Sequence, residues 1–127
     1  MREIKFRGKR VDNGEWVYGD IAHHDNVISH VGQHPADGSM VVFDLDPTTV
    51  GQYTGLLDKD GREIYEGDIL EFNHRGDVRS YVIFDDGSFD VKNQAKDVLL
   101  YLNIINHKVN VISNIHDNPE LLEVSHD

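Results

Sequence analysis

Turn dipeptides in which a polar residue precedes glycine constrain the fold of this chain more than any other feature. They occur at Asn13-Gly14, Asp60-Gly61 and Asp86-Gly87. Such dipeptides tolerate positive φ and therefore connect antiparallel strands in tight hairpins. The flanking segments are short, and in 4–7 and 89–92 apolar residues alternate with polar ones, as in half-buried strands. The pattern predicts an all-β (mainly β), small barrel-like fold with little helix.

Further segments give more specific expectations. Residues 2–22 predict a β-hairpin about the first of these turns. Residues 23–39 are polar and irregular, with room for one short strand. Residues 48–54 have the β-branched composition of a strand. Residues 98–105 fit helical and strand spacing equally well. Asn118-Pro119 predicts a terminal helical turn, with asparagine as the N-cap and proline at the first helical position.

The 127 residues suit a single domain over 1–127, with two lobes as the alternative. In that alternative the lobes are 1–56, a β-hairpin lobe, and 57–127. The run of hairpins within 66–115 could close as an SH3-like barrel, which would lie in the C-terminal portion. Hydrophobic residues make up 39% of the chain, so a core is expected without metal or disulfide staples.

The composition excludes several classes of protein. The chain contains no cysteine, which excludes disulfides, zinc–thiolate sites and cysteine nucleophiles. Its first residues interleave charged and apolar side chains, unlike a signal peptide. No apolar run approaches the ~18 residues that span a membrane. We therefore expect a cytoplasmic protein that does not bind membranes.

The formal charge of −11 disfavours nucleic acid as a partner, because non-specific binding needs cations that neutralise phosphates. Basic residues nevertheless cluster near the start of the chain: Arg2, Lys5, Arg7, Lys9 and Arg10. We interpret them as the solvent face of an edge strand, where charged side chains are common. A phosphate-binding strip on the same strand is the alternative.

Several histidines lie close together, near two aspartates: His23, His24, His30 and His34. Imidazole and carboxylate groups are the ligands that divalent transition metals prefer when thiolates are absent. The spacing of His30 and His34 would align two ligands on a helix, but Gly32 and Pro35 disfavour a helix there. We interpret these histidines as polar loop residues and keep a metal site as the alternative.

No catalytic motif is recognisable. Asp58-Lys59-Asp60-Gly61 begins like a calcium-binding loop, but the alternating aspartates stop after two and no glutamate follows at the twelfth position. A hairpin turn accounts for this segment. Glu66 and Asp68 flank Gly67, and we interpret them as turn and cap residues. A Gly-x-Ser-x-Gly nucleophile turn and glycine-rich phosphate loops do not occur. We therefore expect no catalytic residues, no cofactor and no enzymatic activity.

The aromatic residues of the predicted strands are interpreted as core residues. A stacking platform for nucleic acid would need interleaved basic charge, and the sequence neighbours here are largely acidic or neutral. The residues are Trp16, Tyr18, Tyr53, Tyr65, Phe72, Tyr81, Phe84, Phe89 and Tyr101.

Three segments carry a distinctive combination of motifs, at 2–8, 51–68 and 111–122. The first is Arg-Glu-Ile-Lys-Phe-Arg-Gly. The second joins Gly-Gln-Tyr-Thr-Gly-Leu to Asp-Lys-Asp-Gly-Arg-Glu-Ile-Tyr-Glu-Gly-Asp, and the third contains Ser-Asn-Ile-His-Asp-Asn-Pro-Glu-Leu-Leu. Together they resemble the YopX family of phage and prophage proteins over essentially the whole chain. That family usually has a glycine and a tyrosine where this chain has Ser113 and His116.

The resemblance implies a mostly β fold, SH3-barrel-like in its later portion, encoded by a phage or an integrated prophage. It brings no catalytic residue or cofactor, and we expect its motif residues to maintain the fold. We therefore expect a non-enzymatic accessory protein that binds macromolecules, with an unidentified protein partner or as a homo-oligomer. One alternative is a metal-binding protein or metal-dependent enzyme that uses the four clustered histidines. Another is a nucleic-acid binder that uses the basic N-terminal strand.

Overall fold

The computed structural model describes residues 4–24, 27–33, 41–72, 79–85, 87–93, 98–101 and 106–123. Within these ranges the chain is mostly strand, and no helix reaches seven residues, as the glycine turns predict. The strands are β1 (Phe6–Lys9), β2 (Trp16–His24), β3 (Val27–Gln33), β4 (Val41–Asp44), β5 (Gly51–Leu57), β6 (Glu63–Tyr65), β7 (Asp68–Phe72), β8 (Arg79–Asp85), β9 (Ser88–Asn93), β10 (Val98–Tyr101) and β11 (Val109–Asn114). Short 3-10 turns occupy Pro47–Thr49, Asn106–Lys108 and Pro119–Leu122.

The chain divides into two compact units, Met1–Tyr53 and Thr54–Asp127. The first unit contains an antiparallel sheet in the order β4-β3-β2-β1-β5. The last strand, β5, continues into the second unit, where β6 pairs with it. The predicted hairpin is confirmed, because β1 and β2 pair with Lys9 opposite Trp16. The turn depends on Gly14, whose φ is +72°, a conformation that costs glycine little.

The basic strand β1 is not at an edge of its sheet. It pairs with β2 on one side and with the start of β5 on the other, where Arg7 lies opposite Gly51. The expectation of an edge strand is therefore wrong. The pairing of β1 with β5 joins residues more than forty positions apart, and the local alternation of residues around β1 does not reveal such a partner.

A buried cluster lies on one face of β1 in the first unit. Val17 and Leu45 are buried there, and Phe43 and Val50 pack against them. Gly8 lies directly over this cluster. A Cβ atom at Gly8 would lie 2.7 Å from Leu45 Cδ1, closer than van der Waals contact allows. Glycine at this position therefore lets the strand approach the buried leucine.

Residues 47–49 form a 3-10 turn instead of the predicted start of a strand. Asp46 caps the turn, since its Oδ1 accepts hydrogen bonds from the backbone N–H and the hydroxyl of Thr48 at 3.0 and 2.8 Å. Pro47 follows in the first helical position, which suits its fixed φ. This capping outweighs the strand preference of the two threonines, and the strand begins at Gly51.

The second unit contains a five-stranded antiparallel sheet in the order β10-β9-β8-β7-β11. The buried members of its core cluster come from four of these strands and from β6: Ile64, Leu70, Val82, Phe89, Val91 and Val109. The turn between β8 and β9 pairs Asp85 with Ser88, and Gly87 adopts φ +83°. The predicted hairpin is thus confirmed, whereas closure into an SH3-like barrel stays a prediction.

The structure separates the remaining alternatives. Residues 98–101 form a strand, which decides part of the ambiguous 98–105 segment. Within 23–39, β2 extends through His24 and β3 covers Val27–Gln33, so this region contains more strand than predicted. The terminal turn forms with Pro119 in the first position, but the Asn118 side chain makes no capping bond and donates to Glu120 Oε1 instead.

Candidate functional site

Cations and aromatic rings lie together along β1. The guanidinium carbon of Arg7 lies 4.6 Å from the centroid of the Trp16 ring, and Lys9 Nζ lies 5.7 Å from the same centroid. Lys5 Nζ lies 5.4 Å from the centroid of the Tyr53 ring. All three distances fall within the range of cation–π attraction. Three cations, two in β1 and one directly before it, therefore each have an aromatic neighbour.

The hairpin register explains this arrangement. Arg7 lies opposite Tyr18 and Lys9 lies opposite Trp16, and residues that are directly opposite project from the same face of a sheet. On the other side of β1, the backbone N–H of Tyr53 donates to the carbonyl oxygen of Lys5 at 2.7 Å, which places the tyrosine beside that lysine. We call this surface the β1 face and define it by Lys5, Arg7, Lys9, Trp16, Tyr18 and Tyr53.

Exposure varies across the β1 face. Arg7 and Tyr53 are buried, with 6% and 7% of their surface exposed. Trp16 and both lysines are half-buried. Tyr18 is 44% exposed. The residues with exposed surface are therefore the two lysines, Trp16 and Tyr18, whereas Arg7 and Tyr53 are buried. Such a set can bind an anion that carries a planar group.

Arg10 belongs to a different environment. Its guanidinium carbon lies 4.5 Å from the centroid of the Phe43 ring. It also donates to both carboxylate oxygens of Asp12, at 2.9 and 2.6 Å. This hydrogen bonding lowers the pKa of Asp12 below its ordinary value. Arg10 thus contacts Asp12 in its own hairpin and Phe43 in β4, and it is not part of the β1 face.

The interpretation of the aromatic strand residues as core residues is wrong for two of these residues. Tyr18 and Phe84 are exposed, and Trp16 is half-buried beneath cations. The basic residues that accompany Trp16 and Tyr18 come from the neighbouring strand rather than from adjacent sequence positions. The signal that reveals them is the Asn-Gly turn, because its register brings alternate residues of β1 opposite alternate residues of β2.

The calcium-like segment has a structural role that depends on Asp58, which is 6% exposed. Its Oδ1 accepts hydrogen bonds from the backbone N–H groups of Asp60 and Arg62, each at 2.9 Å. Its Oδ2 accepts a hydrogen bond from the backbone N–H of Val111 in β11, at 2.9 Å. The carboxylate therefore shapes the hairpin tip and also binds the tip to β11.

Further bonds connect the same tip to β11. The backbone N–H of Lys59 donates to the carbonyl oxygen of Val109 at 2.9 Å. The guanidinium of Arg62 donates to the carbonyl oxygen of Val111 at 3.1 Å. We call residues 58–62, with these bonds to β11, the clasp. Its polar groups form hydrogen bonds with backbone groups and so maintain the fold.

Gly67 forms the turn between β6 and β7, with φ +92°. Its N–H donates to the carbonyl oxygen of Val82, and its own carbonyl oxygen accepts a hydrogen bond from Ile115, both at 2.9 Å. Asp68 is buried, and its Oδ2 accepts a hydrogen bond from the backbone N–H of Tyr65 at 2.7 Å. Gly67 and Asp68 of the second motif therefore also form hydrogen bonds with backbone groups.

The candidate metal residues lie on two strands. His23 and His24 end β2, and His30 lies in β3 opposite Ala22, whereas His34 lies outside the described residues. Within the part of the chain that the structure describes, no group of three or more His, Asp or Glu side chains is arranged to hold a metal ion. Metal binding by these histidines stays a prediction, and metal analysis of untagged protein beside a His30→Ala variant tests it.

Among the described residues, no helix has the length and apolar character needed to cross a membrane.

Comparison with known proteins gives consistent results. Residues 5–123 match the family described as YopX protein. The crystal structure of protein EF1440 from Enterococcus faecalis is similar, with 29% sequence identity and a TM-score of 0.66. The similarity covers 97% of this chain and 100% of that one. No curated protein matches the chain. Because the family match extends over nearly the whole sequence, this chain belongs to the YopX family.

Proposed function

We propose that this protein is a non-enzymatic, phage- or prophage-encoded accessory module that acts in the host cytoplasm and binds a macromolecule through the β1 face. The observation that supports this function is the concentration of cations and rings on that face. Arg7 and Lys9 share the Trp16 ring, and Lys5 lies near Tyr53. In a chain with a formal charge of −11, such a cluster is a local departure from the average surface.

The roles of the other polar motif residues also support a binding function. Asp58 and Asp68 accept hydrogen bonds from backbone N–H groups. Asn114 does the same for His116 and Asp117, at 3.0 and 2.9 Å. Carboxylates and amides used in this way stabilise turns and strand ends. The β1 face differs, because it combines charge with an accessible ring at Tyr18.

Site-specific photo-crosslinking in host cells tests the proposal. A photoreactive phenylalanine analogue replaces Tyr18 in one variant and Phe84 in the other, since both side chains are about half exposed and aromatic. We expect a discrete macromolecular adduct from position 18 that is absent from position 84. Replacing Lys5 and Lys9 by glutamine in the position-18 variant should abolish it.

Digestion of the adduct with protease or with nuclease identifies the class of partner. A protein partner and a nucleic-acid partner both support the binding function. If irradiation gives no adduct at position 18 beyond that at position 84, the β1 face is not a binding surface and the proposal is wrong.

A further inference from the structure

We propose that the partner of the β1 face is single-stranded nucleic acid, an inference that rests on the proposed function. Arg7 and Lys9 are alternate residues of β1, and Lys5 precedes the strand by one residue, with its Nζ over the Tyr53 ring. Alternate residues of extended chain are about 6.8 Å apart, so the backbone positions of Lys5 and Lys9 are roughly 14 Å apart. Lys5 and Lys9, which flank the buried Arg7, can contact separate phosphates of one strand, and proteins without sequence preference hold single strands by such charged grooves.

The neighbouring strand supplies the rings that such binding needs. Trp16 and Tyr18 lie on β2, opposite Lys9 and Arg7, so each ring lies beside a cation of the neighbouring strand. Tyr18 exposes 44% of its surface, and Trp16 is half-buried. Unpaired bases stack on aromatic side chains of this kind, whereas the paired bases of a duplex are already stacked and out of reach. The rings therefore favour a single strand.

The charge of the molecule opposes a duplex more than a single strand. Double-stranded DNA carries about one charge per 1.7 Å along its axis, and the acidic surplus of this chain opposes its approach. A single strand carries about one charge per 3.4 Å, half the density of the duplex, so this repulsion is weaker for it. A peptide of acidic residues alone would also pair with the lysines, but it would have no aromatic ring to stack on Tyr18.

Arg7 acts as a positioning residue. It is 6% exposed and lies over the Trp16 ring, so it orients the indole. Gly51 lies opposite Arg7 on β5 and has no side chain to compete for that space. The groups that would touch the nucleic acid are then Lys5, Lys9 and Tyr18, with Trp16 beside them.

Fluorescence titrations of the full chain test this inference. Trp16 is the single tryptophan of the chain, so its emission reports on the β1 face itself. The probes are a fluorescein-labelled oligothymidine of about 12 nucleotides, its duplex with oligoadenosine, and polyglutamate of similar length. Anisotropy of the label gives the affinity, and quenching of Trp16 locates the contact. Titrations at about 50 and 150 mM salt give the salt slope.

We expect saturable binding of the single strand with quenching of Trp16, and weaker binding of the duplex. Replacing Lys5 and Lys9 by glutamine should lower the salt slope by about 1.4, since each lost phosphate contact removes about 0.7. Tyr18→Ala should weaken binding roughly tenfold and leave the salt slope unchanged. Lys59→Gln and Phe84→Ala are matched controls from the second unit and should bind like the parent. Circular dichroism of each variant checks that the strands remain folded.

Three results would overturn the inference. The first is no saturable binding of the single strand at the lower salt concentration. The second is binding that Tyr18→Ala leaves unchanged, because then the rings take no part. The third is equal binding of polyglutamate, which would identify an acidic protein as the partner. A protease-sensitive adduct at position 18 without nucleic-acid binding would likewise reject this inference, while the proposed function would stand.

Discussion

Gly8 is a residue at which one methyl group should disturb the core of the first unit. An added Cβ would lie 2.7 Å from Leu45 Cδ1 and 3.3 Å from Val50 Cγ2, and Leu45 is only 2% exposed. Overpacking of this kind costs about 2 kcal/mol. We therefore expect Gly8→Ala to lower the free energy of unfolding by that amount, measured by urea denaturation.

Crowding at Leu45 causes this loss of stability, and a double-mutant cycle isolates its contribution. In a Leu45→Ala background the added methyl group finds space, so the cost of Gly8→Ala should nearly disappear. An equal cost in both backgrounds would contradict the steric explanation. The sequence shows a glycine within a strand pattern, but only the fold reveals that Leu45 lies beneath it.

The clasp is the feature at the scale of elements that most depends on one side chain. Asp58 accepts hydrogen bonds from three backbone N–H groups, and Asp58→Ala would leave these donors without that acceptor. Each such loss costs about 1–3 kcal/mol when the donor is shielded from water. We expect Asp58→Ala to lower the free energy of unfolding by about 3 kcal/mol, measured by chemical denaturation.

Lys59→Ala is the matched control from the same tip. Lys59 contributes its backbone N–H to the clasp, which alanine retains, so we expect a change within about 0.5 kcal/mol. Asp58→Asn keeps one acceptor oxygen and should fall between the two. Similar stabilities for Asp58→Ala and Lys59→Ala would show that the clasp does not depend on the carboxylate.

Elements with local turn signals could be predicted, and elements that depend on distant partners could not. Asn13-Gly14 and Asp86-Gly87 specify hairpins through a few adjacent residues, and both hairpins form. The central position of β1 depends on β5, and the docking of Asp58 depends on Val111, fifty-three residues away. The β1 face could be predicted only in part. The hairpin register predicts that Trp16 and Tyr18 of β2 lie beside the cations, but it does not predict the contribution of Tyr53.

At the scale of the whole molecule, central strands of the two sheets bury different residues. The buried residues of β1 are Arg7 and Gly8, whereas β7 and β8 bury the apolar side chains Ile69, Leu70 and Val82. Local opening is easier where less apolar surface is buried. We expect amides of β1 and β2 to exchange with solvent roughly tenfold or more faster than those of β7 and β8, measured by hydrogen exchange.

The oligonucleotide of the binding titrations provides a second readout of the same experiment. If it binds the β1 face, it should slow exchange in β1 and β2 and leave β7 and β8 unchanged. Equal protection of both units without ligand would mean that they unfold together, and the difference in buried apolar residues between these strands would then have no consequence for local opening.

The clasp also has a consequence for how copies of this protein behave at high concentration. β11 is the outermost strand of its sheet, and an uncovered outermost strand can recruit a strand from another molecule, which leads to aggregation. The clasp occupies the Val109 carbonyl and both backbone groups of Val111, which such a strand would need. Asp58 therefore protects solubility as well as stability. Light scattering should detect self-association of Asp58→Ala under conditions in which circular dichroism still shows a folded protein.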